Sequence, residues 1–451
     1  MKLLLVYPNA HRELIGFGDL GAIAEPLALE YVAAACAPHT SDMRLLDLRL
    51  HRDELEPTLQ SFQPDVVAVT GYSMHVPRML EICSSAKALV PGCRTVVGGH
   101  HATLLPEDFH GTAVDYIVKG EGSRPISALL ERLAAGDAPT ADIPGLWRRA
   151  GDEWRFGGDQ GTLELDTVPA PLRSLRPEDR QHYFIDWMRP IALMRTTVGC
   201  PYRCSFCSLW RIMDGRYYRR DVERVVDELA TIAEPYVFLV DDEPFVNAGR
   251  MDAMADAIAG SGIRKEYFSY CRIDTLLRNQ RTLEKWIDVG LRRVFLGIEG
   301  ITSRELTDFN KRLTISQIED GLAAARGMGL KVFASFIVSP FYTRTEFNQL
   351  IRFIERNRID YPSFTILTPL PGTEDFTKRY DEITEWQANG RPDWAKWDLQ
   401  HLVLPSALPR ATFDAEYTRL RRTFRGAYEI HQRKAATQRP GALAHTALGR
   451  Y

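Results

Sequence analysis

The chain has 451 residues, 45% of them hydrophobic and 25% charged, with 56 Lys and Arg against 59 Asp and Glu for a net charge of −3. That length predicts two or three domains. The composition is that of a globular protein and excludes disorder, collagen-like repeats and a disulfide scaffold, while the balanced charge gives no electrostatic case for a nucleic-acid partner. No stretch approaches the roughly 20 apolar residues of a membrane helix, and the opening Leu3 to Tyr7 run is too short for a signal segment, so the expected compartment is the cytoplasm.

Residues 1–135 alternate apolar runs (Lys2 to Tyr7, Met43 to Leu48, Asp65 to Gly71, Arg94 to Gly98, Val114 to Val118) with stretches of helical spacing (Ala24 to Cys36, Asp53 to Phe62, Val76 to Leu89, Gly122 to Ala134). Runs apolar throughout are strands buried on both faces. The region therefore reads as an α/β unit, an open, Rossmann-like parallel sheet of five strands, with ligands expected beyond the strands' carboxyl ends. Turn residues fall at those ends: Gly71-Tyr72-Ser73, Gly98-Gly99-His100-His101 and Gly120-Glu121-Gly122.

Residues 136–185 lose periodicity, apart from a hairpin pattern at Trp147 to Phe156, and read as a linker. Residues 186–375 form a second series with strands at Ile191 to Thr196, Tyr236 to Val240, Tyr267 to Cys271, Arg293 to Ile298, Lys331 to Val338 and Ser363 to Leu367. Helices begin near Asp221, Gly249, Asn279, Ser303 or Thr314, and Thr343. The series predicts a partial (β/α)6 TIM-like barrel with its chemistry at the strands' carboxyl ends. Residues 376–451 read as a Trp-rich and then helical C-terminal cap, its helix spanning Ala411 to Gln432.

Of the seven cysteines, Cys36, Cys83, Cys93 and Cys271 are scattered, while Cys200, Cys204 and Cys207 crowd the loop after the first barrel strand. An odd count with three clustered thiols points to metal and not to disulfides. Thiolates at i, i+4 and i+7 suit zinc or an iron–sulfur cluster. A structural zinc site takes four ligands, commonly from CxxC pairs, and no second pair or His-x-x-x-His follows. Three thiolates on a four-iron cluster leave one iron open to a substrate or cosubstrate.

The Cys200-x-x-x-Cys204-x-x-Cys207 loop, with Phe206 before its last cysteine, resembles the signature of the radical S-adenosylmethionine (SAM) superfamily. In that family the open iron chelates the amino and carboxylate groups of SAM, and reduction cleaves SAM to a 5′-deoxyadenosyl radical. The resemblance implies roles at other strand ends. Asp241 and Asp242 match the acceptors of the SAM ammonium, with helix capping as the alternative; Arg272, with Asp274, matches the clamp on the SAM carboxylate. Glu299 matches a ribose-binding group, and Pro371 a Pro-Gly turn beside the adenine.

An open α/β unit before such a barrel resembles the cobalamin-binding branch of the superfamily. Its turns after the third and fourth strands contact the corrin and its nucleotide tail, positions matched by Gly71, Tyr72, Ser73, Gly98, Gly99 and His100; the Gly120, Glu121 and Gly122 turn also resembles this branch. The Asp-x-His-x-x-Gly motif that gives cobalt a histidine in other cobalamin proteins reads Asn9-Ala10-His11-Arg12-Glu13-Leu14 here, so cobalamin is expected without His11 as ligand. His100 and His101 also suit turn residues that hydrogen-bond locally.

The resemblance implies a C-methyltransferase with three cofactors: a 4Fe–4S cluster, SAM and cobalamin. One SAM methylates cob(I)alamin, a second is cleaved to remove hydrogen from an unactivated carbon, and that carbon takes the methyl group. It also implies an external electron donor such as flavodoxin or ferredoxin, and a small-molecule substrate between corrin and barrel mouth. The segments Ile263 to Tyr267 and Trp397 to His401 look most like methylases of hopanoid lipids or of small heterocycles, such as the pyrrole unit of aminocoumarin antibiotics. Trp210, Tyr217, Tyr218, Trp394, Trp397 and His401 are candidates for the substrate wall, with ordinary packing the alternative for each. Rearrangement or cyclisation is the runner-up. A methylthiotransferase would need a second cluster on Cys36, Cys83 and Cys93, which fall in helix, helix and loop; a non-enzymatic cobalamin protein would not need the SAM-type strand ends.

Overall fold

The structure is a computed structural model that describes residues 1–10, 22–111, 113–136 and 143–437, with side chains through 424. His11 lies outside the described residues. The first sheet contains β1 (Lys2–Tyr7), β2 (Asp42–Asp47), β3 (Val66–Thr70), β4 (Arg94–Gly98), β5 (Tyr116–Val118), β6 (Leu146–Ala150) and β7 (Glu153–Phe156). Its order is β2-β1-β3-β4-β5-β6-β7. The first five strands are parallel, and β6 and β7 add antiparallel.

Side chains alternate across a strand. Leu3, Leu5, Val66 and Ala68 therefore pack on one face with α1 (Leu27–Cys36) and α5 (Ser123–Ala134). Leu4, Val6, Val67 and Val69 pack on the other face with α2 (Leu55–Phe62) and α3 (Val76–Leu89). A short helix, α4 (His100–Leu104), follows β4.

Two expectations change here. The hairpin predicted inside the linker is part of the first sheet, because Tyr116 to Val118 pair with Leu146 to Arg148 and give the short β5 a second neighbour. The sheet is thus seven-stranded and mixed, not five-stranded and parallel. The linker region also supplies Phe184–Ile185, which pairs with Ala22–Ile23.

The second sheet is β8 (Ile191–Met194), β9 (Tyr236–Leu239), β10 (Glu266–Cys271), β11 (Leu291–Glu299), β12 (Lys331–Val338) and β13 (Tyr361–Ile366), parallel and in sequence order. Consecutive parallel strands joined by helices make the partial barrel. Its outer helices are α6 (Val222–Thr231), α7 (Ala248–Ser261), α8 (Ile273–Arg278), α9 (Gln280–Asp288), α10 (Ser303–Asp308), α11 (Ile315–Gly327) and α12 (Arg344–Asn357). Ser303 and Thr314 are not alternatives: Thr302 and Thr314 each close a capping box, with Glu305 and Gln317, and start separate helices. Inside, Phe238 stacks on Phe268 at 4.5 Å and Phe333 on Tyr361 at 4.5 Å, and Leu27, Tyr31 and Met188 join the same apolar cluster.

The C-terminal region is not a separate cap. After α13 (Glu374–Arg379), Ile383, Trp394, Trp397, Val403 and Leu404 enter the core on the α2/α3 face of the first sheet. Trp394 and Trp397 are thus core residues, not substrate wall, and Trp397 Nε1 donates to Pro369 O at 2.8 Å. The final helix, α14 (Arg410–Thr437), returns to the barrel, where Phe413 and Leu420 are buried.

The two sheets are joined by a buried ionic network. Arg180 of the connecting segment pairs with Glu25 just before α1 and with Glu234 before β9, and donates to Glu30 of α1 at 3.3 Å. Arg173 pairs with Glu228 of α6 at 2.9 Å and donates to Leu193 O at 2.8 Å.

Candidate functional site

The cysteine loop leaves β8 through Thr196 and Thr197, and both are held by Asp241. Asp241 Oδ1 accepts from the Thr196 N–H at 2.7 Å, the Thr197 N–H and the Thr197 hydroxyl, while Oδ2 accepts from the Thr196 hydroxyl at 2.9 Å. Asp241 is fully buried and braces the loop through these four bonds, three on Oδ1 and one on Oδ2. Next to it, Asp242 accepts from the Gly199 N–H at 2.9 Å, and burial pushes its carboxyl up to about 6. Gly199 sits at φ +91°, and a Cβ there would lie 2.1 Å from Arg216 O, so only glycine fits the entry to the loop.

Cys204 is buried and Cys200 and Cys207 are half-buried. Burial pushes the Cys200 and Cys207 thiols up to about 12, and each also feels Cys204 and Asp242. Among the described residues no group of three His, Cys, Asp or Glu is arranged to hold a metal ion. The fit to a cluster rests instead on the donor chemistry: three thiols on one braced loop, with mutual electrostatic contact, whose deprotonation a metal would drive. The far side of the loop is pinned to the end of α10, since the Ser205 N–H donates to Phe309 O at 3.1 Å and Asn310 Nδ2 to Arg203 O at 2.7 Å. Phe206 packs edge-on against Phe309 at 5.4 Å, and Trp210 Nε1 donates to Cys204 O at 3.2 Å.

The barrel's strand ends gather around this loop. Arg272, after β10, has Nη1 3.7 Å from Cys204 Sγ, Nε 3.0 Å from Asp274 Oδ1 and Nη2 2.9 Å from Lys311 O. Its guanidinium lies 3.7 Å from the Tyr202 ring centre, and Tyr202 donates its hydroxyl to Asp274 Oδ2 at 3.0 Å. Asp274 thus orients Arg272 and Tyr202. Glu299 ends β11 at φ +68° and pairs with Lys311 Nζ at 3.1 Å, both side chains buried. A glutamate held in the left-handed region is a strained residue of the sort found at ligand sites. Pro371 is buried in a turn whose next residue, Gly372, packs on Leu104 of α4.

Two residues here were not singled out from sequence. Glu243, the third residue of the acidic run Asp241-Asp242-Glu243, is 1% exposed, its Oε1 has no partner among the described residues, and burial pushes it up to about 7 against the lowering effect of Arg272. Lys311 had no signal beyond a Lys in a loop.

The first sheet presents its turns to the same region. A Cβ on Gly99 would lie 2.7 Å from Gly71 O, so β3 and β4 end in backbones in close approach. Gly98, at the end of β4, pairs with Thr70. Tyr72 keeps 41% of its surface and lies 5.2 Å from the ring of His100, whose imidazole is lowered to about 4 by burial. Ser73 is buried. Across the junction, burial raises the Tyr270 phenol, and the nearby Tyr72 and Asp242 raise it further. The Gly120-Glu121-Gly122 turn is occupied from within: Gln160 Nε2 donates to Lys119 O and Glu121 O at 2.7 and 2.8 Å, and Glu121 caps α5 through Ser123. Of the remaining wall candidates, Trp210 is buried, while His401 is half-buried and held by Asp398 at 2.9 Å. Tyr217 and Tyr218 are half-buried, and Tyr218 begins a two-residue strand, Tyr218–Arg219, that pairs with Thr197–Val198.

The fold and cysteine loop define a radical SAM enzyme with a cobalamin-type sheet. A family model for the B12 binding domain matches residues 14–130, and one for the radical SAM superfamily matches residues 194–354. The chain is 33% identical over 444 residues to hopanoid C-3 methylase of Methylococcus capsulatus, covering 97% of this chain and 82% of that protein. It is 26% identical to anaerobic magnesium-protoporphyrin IX monomethyl ester cyclase of Cereibacter sphaeroides, covering 91% and 68%. Its fold matches that of the radical SAM methyltransferase TsrM of Kitasatospora setae, solved with cobalamin and a [4Fe-4S] cluster, with a TM-score of 0.72 at 19% identity over 93% of this chain and 90% of that one. The chain belongs to the cobalamin-dependent radical SAM methyltransferases, and its cofactors are a 4Fe–4S cluster, SAM and cobalamin.

Proposed function

We propose that this enzyme methylates an unactivated carbon of an apolar small molecule, with a hopanoid-type lipid as the first substrate to test. The likeness to hopanoid C-3 methylase over 97% of the chain carries this reading. When bound, the three cofactors supply hydrogen abstraction and the methyl group. The protein's part is to hold and aim them. The Cys200, Cys204 and Cys207 thiolates would hold the cluster, on a loop that Asp241 and Asp242 brace. Glu243 Oε1, unpaired among the described residues, would accept the SAM ammonium, Arg272 and Lys311 would face its carboxylate, and Glu299 its ribose. The turns at Gly71–Ser73 and Gly98–His100 would face the corrin. Tyr72 and Tyr270 would flank the substrate and exclude water. Electrons would come from an external donor such as flavodoxin or ferredoxin.

The test is anaerobic reconstitution with iron, sulfide and hydroxocobalamin, followed by turnover of methyl-deuterated SAM with reductant and a hopanoid. The reading predicts S-adenosylhomocysteine, 5′-deoxyadenosine and deuterium in the hopanoid. A second reading, cyclisation or rearrangement, is favoured by the likeness to the magnesium-protoporphyrin cyclase and predicts 5′-deoxyadenosine without S-adenosylhomocysteine.

A further inference from the structure

Beneath the Gly71–Ser73 turn runs a buried chain of hydrogen bonds that the proposed chemistry does not use. Ser73 Oγ lies 3.0 Å from His101 Nδ1, and His101 Nε2 lies 2.9 Å from Asp108 Oδ2. Asp108 Oδ1 lies 3.4 Å from Arg391 Nη1, and the same guanidinium donates to Asp108 O at 2.6 Å and Glu107 O at 3.2 Å. His101 is 1% exposed and is enclosed edge-on by Trp394 at 4.6 Å and Phe109 at 5.9 Å. Ser73 and Asp108 are also buried.

The direction of the chain follows from its ends. Asp108 as a carboxylate only accepts, so His101 Nε2 carries a proton; with that the ring's single proton, Nδ1 is left as an acceptor, the tautomer the relay requires. The Ser73 hydroxyl proton then points inward to Nδ1, and the Ser73 oxygen offers its lone pairs outward at the turn. Arg391 fixes which Asp108 oxygen faces the histidine. The arrangement makes Ser73 a committed acceptor, and it ties that state to the C-terminal segment carrying Arg391 and Trp394.

We infer that Ser73, His101 and Asp108 form a relay that holds Ser73 as a hydrogen-bond acceptor for an amide or hydroxyl donor on the rim of bound cobalamin, with His101 and Asp108 as positioning residues. This rests on the proposed placement of cobalamin at the Gly71–Ser73 turn. Burial of His101 and Asp108 keeps the relay away from any substrate carbonyl, so it is not a hydrolytic triad.

The test compares Ser73→Thr with Ser73→Val, which add the same bulk but keep or lose the hydroxyl, together with Asp108→Asn. In the last, Arg391 holds the amide oxygen, so the amide nitrogen faces His101. The imidazole must then donate from Nδ1, and the Ser73 proton turns outward. Hydroxocobalamin affinity is read by absorbance titration of the full-length protein, and iron content serves as the control. The relay predicts that Ser73→Val and Asp108→Asn each weaken cobalamin binding roughly tenfold, the size of one lost hydrogen bond. Ser73→Thr should stay within about threefold, Asp108→Asn in the Ser73→Val background should cost nothing more, and iron content should hold. Wild-type affinity in Ser73→Val, or additive losses in the double variant, would overturn the relay alone. Wild-type protein that takes up no cobalamin would overturn the placement and the relay with it.

Discussion

Arg272 Nη1 lies 3.7 Å from Cys204 Sγ, at the point where the third barrel strand meets the cysteine loop. Its other nitrogens are tied to Asp274 and the Lys311 carbonyl, so the guanidinium is held in place before any ligand arrives. A cation fixed beside a thiol proposed as a cluster ligand leaves a positive face for a carboxylate.

Arg272→Ala should therefore lower reductive SAM cleavage by on the order of a hundredfold, while iron content falls far less. Arg272→Lys should recover only part of the rate, since an ammonium cannot reach Asp274, the Lys311 carbonyl and Cys204 together. Measured 5′-deoxyadenosine and iron per chain separate the two effects. Equal loss of both would mean that Arg272 serves the cluster alone.

Gly199→Ala should destabilise the protein by roughly 2 kcal/mol or more, because alanine resists the left-handed region and its Cβ would press on a backbone carbonyl. Thermal unfolding of the metal-free protein and iron uptake check this: both should fall. An unchanged melting temperature would show that the loop entry can relax.

The loop's identity was legible in the sequence because cysteine spacing is a local pattern; the strand-end acids were legible as a group, but not the bracing they give the loop. The partners were not. Nothing in Asp241-Asp242-Glu243 tells which carboxylate is spent on Thr196 and Thr197 and which keeps a free oxygen, because that depends on how β8 and β9 pair. Lys311 reaches Glu299 across twelve residues and a helix, and Arg391 reaches Asp108 across 283. Hydrophobic periodicity found the strands because it is set by burial on two faces. It misplaced the Trp147 hairpin and Trp394 for the same reason, since an apolar pattern does not say which core it enters.

Trp397→Ala should cost about 3–5 kcal/mol, as for other fully buried aromatics. Since Trp397 bonds Pro369 O and packs in the first sheet's core, proteolysis should also begin to cut between barrel and sheet. Loss of stability without new cleavage would show that the contact does not couple the two.

The junction network should make stability depend on pH. Burial, reinforced by Glu25, raises Glu30 to about 8 against the opposing Arg180 and Arg173, with Glu234 raising it further. The native state therefore keeps a proton that the unfolded chain releases near 4.5. Its contribution is full below pH 4.5 and is lost as pH rises through about 8. Relative to Glu30→Gln, the wild type should lose stability steadily between those limits, read from urea unfolding at a series of pH values. Parallel curves would contradict the assignment.

The most direct measurement of the central claim is the iron content and SAM cleavage of Cys204→Ala beside the wild type after identical anaerobic reconstitution. The account predicts a four-iron cluster with 5′-deoxyadenosine formation in the wild type, and a variant with neither a full cluster nor SAM cleavage. A Cys204→Ala protein that held a complete cluster and cleaved SAM at the wild-type rate would contradict it.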